Sequence, residues 1–275
     1  MEIAIGNYYI DKYGLSEGGA KMAEDGYTAI DFKLSDTNSE YYAIRDEDFV
    51  RRMYEIKNTL KKCGVRVHQV HGPWPVAVAT EDERAVAFSK MTKAMVMAKH
   101  MGAGYMAIHP LMPYGVNSAE KPEEVYEINK SYYTSLASVA AALGVVICIE
   151  NMPFPDFPLS SSASVYALVK DIGSPNVKMC FDTGHAHIMG EPFGEALRAI
   201  ADEVRIIHVH DNDGVEDMHL NPYDGNADMS DLAEALFDIG YSGVFSLETK
   251  PMACDGENAD DAEKRLAGLA RLIAG

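Results

Sequence analysis

Short apolar runs alternate with amphipathic stretches from one end of the chain to the other. The runs Ile3 to Gly6, Ala29 to Phe32, Val65 to His71, Tyr105 to His109, Val145 to Glu150, Val177 to Asp182, Val204 to His210 and Val244 to Glu248 have the length and composition of buried strands. Between them, apolar residues recurring at spacings of three and four predict helices. The clearest is Asp46 to Cys63, where Phe49, Met53, Ile56, Leu60 and Cys63 form one stripe, Asp46 reads as the N-cap and Gly64 as the stop. Further helices are expected over Glu81 to Met101, Pro122 to Leu143, Ser164 to Ile172, Pro192 to Ala201, Ser230 to Ile239 and Asp260 to Ile273, with a first around Ser16 to Asp25.

Eight strand–helix units in strict alternation predict an all-parallel sheet, because each return crossing is helical. An open doubly wound sheet would carry a glycine-rich phosphate turn after its first strand, and GNYYIDKYG is not one. The expected fold is therefore α/β, a single-domain (β/α)8 TIM barrel over residues 1–275, with its active site at the C-terminal face of the strands. Residues far apart in sequence then converge on one pole.

Composition agrees with one well-packed domain: 275 residues, 47% hydrophobic and 24% charged. A formal charge of −18 repels polyanions, so no nucleic-acid partner is expected. The four cysteines show no CxxC spacing, and Cys148 and Cys180 fall inside strands, which reads as reduced buried thiols. MEIAIGNYY opens on a strand without a basic leader. The longest nearly apolar stretch, Leu136 to Ile149, is broken by Ser138 and Gly144 and falls short of the ~20 residues of a membrane span. The expectation is a cytoplasmic protein without membrane contact, and no surface helix is apolar enough to signal an oligomer interface.

The chemistry stands at the strand ends. VRVHQVH, YMAIH, VVICIE, VKMCFD, IIHVH and VFSLE each finish on a histidine or carboxylate. Glu150, Asp182, His210 and Glu248 supply mixed oxygen and nitrogen ligation suited to one divalent ion such as Mn²⁺, Mg²⁺, Co²⁺, Fe²⁺ or Zn²⁺. Without a cation, three carboxylates in one pocket would repel each other. His71 and His109, each before a proline-containing loop, could bind a second cation or hydrogen-bond substrate hydroxyls. His185, Asp217 and His219, from DTGH and DMH, are further ligands or substrate clamps. His68 has the opposite strand parity to His71 and should point away, His100 lies on a helix, His208 sits one step deeper than His210 where it can support a ligand, and His187 has no assigned role. Tyr8, Tyr9, Trp74, Tyr114 and Phe154 fall in loops at the active face, where they either wall a sugar or simply pack.

The motifs VHGPW, IHP, IEN, FDTGH, HVHDN, DMHL and LE resemble those of the xylose isomerase-like barrel superfamily over essentially the whole chain. That superfamily includes sugar isomerases and epimerases, inosose dehydratases and endonuclease IV. In sugar epimerases of this type, the positions matching Glu150, Asp182, His210 and Glu248 bind one divalent metal and the one matching His185 contacts substrate. In endonuclease IV, all nine positions are similar to ligands of a trinuclear zinc site bridged by Glu150. The chain departs from many relatives after the DxH motif, where YDGNAD replaces a GxG turn.

The resemblance implies a metal-dependent sugar isomerase or epimerase that moves a proton next to a carbonyl through an enediolate, with Glu150 and Glu248 as the proton carriers. An inosose dehydratase-type lyase and an endonuclease IV-like phosphodiesterase are the alternatives. The acidic charge and the scarcity of cations in the active-face loops, where Lys33 and Lys250 are the clearest, weigh against DNA and toward an unphosphorylated ketose, aldose or polyol. A non-catalytic binder would need fewer ligands than nine, and no pair of facing glutamates.

Overall fold

The apolar runs pair side by side in sequence order and the last returns to the first. β1 (Glu2–Ile5), β2 (Ala29–Lys33), β3 (Arg66–His71), β4 (Tyr105–Ile108), β5 (Val146–Glu150), β6 (Val177–Asp182), β7 (Val204–Val209) and β8 (Val244–Leu247) form a closed barrel in the computed structural model. Every pairing is parallel, including β1 with β8. The structure describes residues 1–275 apart from the side chain of Asp46.

The outer ring is formed by α2 (Leu15–Asp25), α4 (Asp46–Cys63), α5 (Glu81–Met101), α6 (Pro122–Leu143), α7 (Ser162–Ile172), α9 (Phe193–Ile200), α10 (Met229–Asp238) and α11 (Ala259–Ala274). These match the expected helices to within two residues at each end. α4 begins at Asp46, so the cap position falls on Arg45, and the Asp46 side chain lies outside the described residues. Gly64 ends that helix at φ 87°, a left-handed conformation that a Cβ would strain. α5 starts on a capping box in which Thr80 and Glu83 satisfy each other's backbone donors.

Three short helices were not expected: α1 (Tyr8–Tyr13), α3 (Glu40–Ala43) and α8 (Thr183–Ile188). Helices this short carry no readable stripe and depend on local anchors. For α8 the anchor is Asp182, whose carboxylate accepts from the His185 backbone N–H at 2.7 Å.

Large side chains fill the layer between strands and helices, with Ile30, Phe32, Val70, Phe181 and Phe245 from the strands and Met53, Ile56 and Leu60 from α4 in one continuous cluster. Burying each contributes roughly 1.5–3 kcal/mol. The barrel interior is narrower and takes Ala4, Ala29 and Val244 in one cluster and Ala107, Cys148, Cys180 and Ile206 in another. All four cysteines are free, but Cys63 is only partly buried and Cys254 is exposed on the loop before α11, contrary to the buried-thiol reading. Among the described residues, no helix is long and apolar enough to cross a membrane.

The regular alternation is broken twice. Pairing of β2 with β3 jumps from Ile30↔Val67 to Asp31↔Gln69, and pairing of β6 with β7 jumps from Met179↔Val204 to Cys180↔Ile206. Each jump inserts one extra residue, and the strand's facing changes beyond it. His68 sits at the first. It therefore does not point away as parity predicted, but lies beside Arg66, whose Nη1 is 2.9 Å from His68 Nδ1, with its ring against Tyr105 of the inner wall.

Burial pulls the His68 imidazole down to about 4, with Arg66 adding to the effect, so the folded protein holds a neutral ring. Unfolding restores a value near 6.5. The ring's contribution is thus complete above pH 6.5 and is lost as the pH falls toward 4, because only the unfolded chain takes up the proton. Denaturant unfolding of wild type and His68→Asn at pH 7 and pH 4.5 should show the wild type losing on the order of 2–3 kcal/mol more across this interval; parallel losses would refute the assignment.

Candidate metal centre and active-site cavity

Closure brings the strand-end residues to one pole, and the nine side chains do meet there. His109 Nε2 lies 3.4 Å from Glu150 Oε2, and His71 Nε2 lies 4.0 Å from the same oxygen and 3.6 Å from Glu248 Oε1. His210 Nε2 is 3.0 Å from Asp182 Oδ1 and 3.7 Å from Asp217 Oδ1. His185 Nε2 and His219 Nε2 each stand 3.4 Å from Asp217 Oδ2. Ligand atoms gather within 4.8 Å of one another in His71–His109–Glu150, in Asp182–His185–His210 and in His210–Asp217–His219.

The imidazoles are aimed from behind. His185 Nδ1 donates to the Asn151 carbonyl at 2.7 Å, His219 Nδ1 to the Glu248 carbonyl at 2.6 Å and His71 Nδ1 to the Gly72 carbonyl at 3.2 Å. A carbonyl can only accept, so these partners place a proton on Nδ1 and turn each Nε2 into the site. Asn151 also locks β5 to β6, accepting from the Asp182 N–H at 2.8 Å and donating to its carbonyl at 3.0 Å. The His210 ring lies so close to Gly184 that a Cβ there would come within 1.9 Å of Cε1, which explains the glycine of FDTGH.

The loop carrying Asp217 and His219 folds back on Asp211, a residue to which sequence reasoning gave no role. Its carboxylate accepts from the N–H groups of Tyr223, Gly225 and Ala227, each at 3.0 Å. This gives YDGNAD a definite shape without a second glycine. Gly225 is required, since a Cβ would sit 2.3 Å from the Asn212 carbonyl oxygen.

Charge at the site is compensated internally. Burial alone would raise Asp182, but His185 and His210 outweigh it and hold the carboxyl at about 2. Burial lowers His185 while Asp182, Asp217 and Glu150 raise it, to a net value of about 10, and by the same balance Asp217 and Glu248 bring His219 to about 9. His109, buried among other imidazoles, is driven well below its ordinary range by burial first and by His71 and His185 next. The repulsion expected among the carboxylates is therefore relieved by imidazolium groups as well as by any cation.

Several buried polar atoms still lack a well-formed hydrogen bond among the described residues: Glu150 Oε2, Asp182 Oδ2, His210 Nδ1 and His109 Nδ1. Unpaired carboxylate oxygens and imidazole nitrogens, in clusters whose ligand atoms lie within 4.8 Å of one another, suit divalent cations. Above them opens a cavity of about 690 Å³, lined by His71, His109, His185, Asp217, His219 and Glu248 at its base. Tyr8, Trp74 and Phe154 form part of its wall, and the Trp74 ring stands edge-on to His109 at 4.7 Å. Tyr114 does not line it; its hydroxyl donates to Glu124 at 2.7 Å. Tyr9 is turned wholly into the core, bonded to Asp25 at 2.7 Å. His187 lies outside the cluster, against Asn226.

The sequence profile of the xylose isomerase-like TIM barrel family matches residues 20–272. The chain is 38% identical to uncharacterized protein MJ1311 of Methanocaldococcus jannaschii, over 46% of this chain and 44% of that protein. It is 26% identical to the D-psicose 3-epimerase of Agrobacterium fabrum, over 70% of this chain and 67% of that protein. The chain spans about half the length of the first curated relatives it matches, inosose isomerases among them. Among solved structures, a D-psicose 3-epimerase determined in the presence of D-fructose superposes with a TM-score of 0.81 at 18% identity, over 100% of both chains. The IolI protein with a bound zinc atom superposes with a TM-score of 0.78 at 20% identity, over 99% of this chain and 97% of that one.

Cations entering clusters that contain His185 and His219 must displace protons from them. Calorimetric titration of the apoprotein with Co²⁺ in buffers of differing ionisation enthalpy should show net proton release, with affinity rising from pH 6 toward pH 9. Affinity flat across that interval would remove His185 and His219 from the ligand set.

Proposed function

The chain belongs to the xylose isomerase-like TIM barrel family, and on that premise we propose that it is a divalent-metal-dependent sugar isomerase or epimerase. The observation that carries this reading is the pair Glu150 and Glu248, which approach the same imidazole nitrogen from β5 and from the end of β8, Glu248 at the cavity base and Glu150 fully buried. Their acidities are displaced in opposite directions. Burial raises Glu150, whereas for Glu248 burial is outweighed by His208, His71 and His219, which hold it well below the usual carboxylate range. Groups split this way suit the two ends of a proton transfer.

Glu150, Asp182, His210 and Glu248 would hold the primary ion, which supplies polarisation of the substrate's carbonyl and hydroxyl oxygens when bound. One glutamate removes the proton from the carbon beside the carbonyl, giving an enediolate, and the other returns a proton to the neighbouring carbon or to the opposite face. His185 orients substrate oxygens, and Tyr8, Trp74 and Phe154 shield the reacting carbons from water. The substrate best suited is an unphosphorylated ketose, aldose or polyol, since Lys33 and Lys250 alone bring Lys or Arg side chains to the described cavity wall. The names of the relatives, D-psicose 3-epimerase and inosose isomerase, support the same class.

A second reading is hydrolysis of a phosphodiester at abasic DNA by three zinc ions, favoured by the separate His71–His109–Glu150 and His210–Asp217–His219 clusters. The −18 charge opposes it.

A panel of ketoses and inososes incubated with the metal-loaded protein in deuterated water distinguishes the readings. Deuterium should enter at a carbon next to the carbonyl, and Glu150→Gln should slow exchange by about 10²–10⁴-fold. A product lighter by one water would identify a dehydratase. Cleavage of an abasic duplex without sugar exchange would overturn the proposal. Removing the metal by chelation should abolish exchange, and full activity in metal-free protein would refute the metal dependence.

A further inference from the structure

Beneath the two glutamates, on the barrel axis, lies a fully buried imidazole whose both nitrogens face carboxylates. His208 Nδ1 is 3.0 Å from Glu150 Oε1 and 2.7 Å from Glu248 Oε2, while Nε2 is 2.9 Å from Asp31 Oδ2. Asp31, itself buried, is braced by Gln69, whose amide donates to the same oxygen at 3.0 Å. The His71 ring lies nearly parallel to the His208 ring, 5.7 Å away and tilted by 14°.

The Gln69 amide nitrogen also stands 3.0 Å from His208 Nε2, so both ring nitrogens are engaged, Nδ1 by the two glutamates and Nε2 by Asp31 and Gln69. Nδ1 donates to Glu150 Oε1, and Glu248 Oε2 stands 2.7 Å from the same nitrogen. With both nitrogens engaged, the ring has no lone pair to give a cation.

We propose that His208, anchored by Asp31, is a positioning residue that ties down one oxygen of Glu150 and one of Glu248 and so fixes which oxygens these glutamates present to the metal. The oxygens left over are those that meet the other ligands: Glu150 Oε2 next to His109 and Glu248 Oε1 next to His71. Without the imidazole, either carboxylate is free to rotate, and the coordination sphere loses its set geometry. The proposal rests on the reading of this pole as a metal centre.

Cobalt-substituted protein tests it without reference to turnover. Wild type, His208→Asn and Asp31→Asn are each titrated with Co²⁺, followed by visible absorption and by cobalt content after gel filtration, with circular dichroism as the check on folding. Both variants should retain the wild-type number of cobalt ions, bind them about 10–100-fold more weakly, and show a displaced d–d band. Asp31→Asn keeps the ring and carries the test if His208→Asn does not fold. Loss of a whole ion from His208→Asn would make His208 a ligand and overturn the proposal, as would a folded variant with unchanged affinity and band. Wild-type protein that takes up no cobalt would instead overturn the metal-centre reading on which the proposal stands.

Discussion

Buried carboxylates persist only where opposite charge is built in beside them. Glu150 and Asp182 are fully enclosed at one pole of the barrel, with Glu248 and Asp217 against them, and the chain answers with imidazoles. Six of its nine histidines stand at this pole. The protein's large acidic surplus is thus compensated locally at the one place where it would be most costly. Histidine serves this purpose better than lysine or arginine because the same group can give up its proton and become a ligand.

The scaffold makes the arrangement affordable. Large residues fill the space outside the sheet, and small ones inside leave room for a polar axis, where Asp31, Gln69 and His208 replace the branched aliphatics that usually fill a barrel. At the rim, backbone carbonyls at Asn151, Gly72 and Glu248 orient three rings, so the short loops act as part of the site. Asp211 performs the corresponding role for the longest of them, gathering three backbone donors around one carboxylate.

What could be read beforehand followed from periodicity and from repetition. The eight strands, the main helices and the convergence of nine polar side chains all come from patterns carried by many residues at once. The departures belong to single residues whose direction no pattern encodes. In the sequence Tyr9 and Tyr114 read as loop residues like Tyr8 and Trp74, yet a buried Asp25 captures one and a surface Glu124 the other. Asp31 and Gln69 were visible as polar residues inside the runs AIDFK and RVHQVH, a signal that a buried partner must exist. The partner, His208, lies more than a hundred residues away, and only closure of the barrel brings them together.

The two register shifts have a consequence for the origin of the site itself. Counted from Arg66, which pairs with inward-facing Ala29, strict alternation would turn His71 toward the helices; counted from Val204 on the outer side, it would do the same to His208 and His210. One supernumerary residue in each strand resets the reading frame of the side chains. His210, the cavity-facing His71 and the imidazole beneath the glutamates therefore owe their orientation to the length of two strands, so that a deletion touching none of them would dismantle the cluster while the helices kept their places.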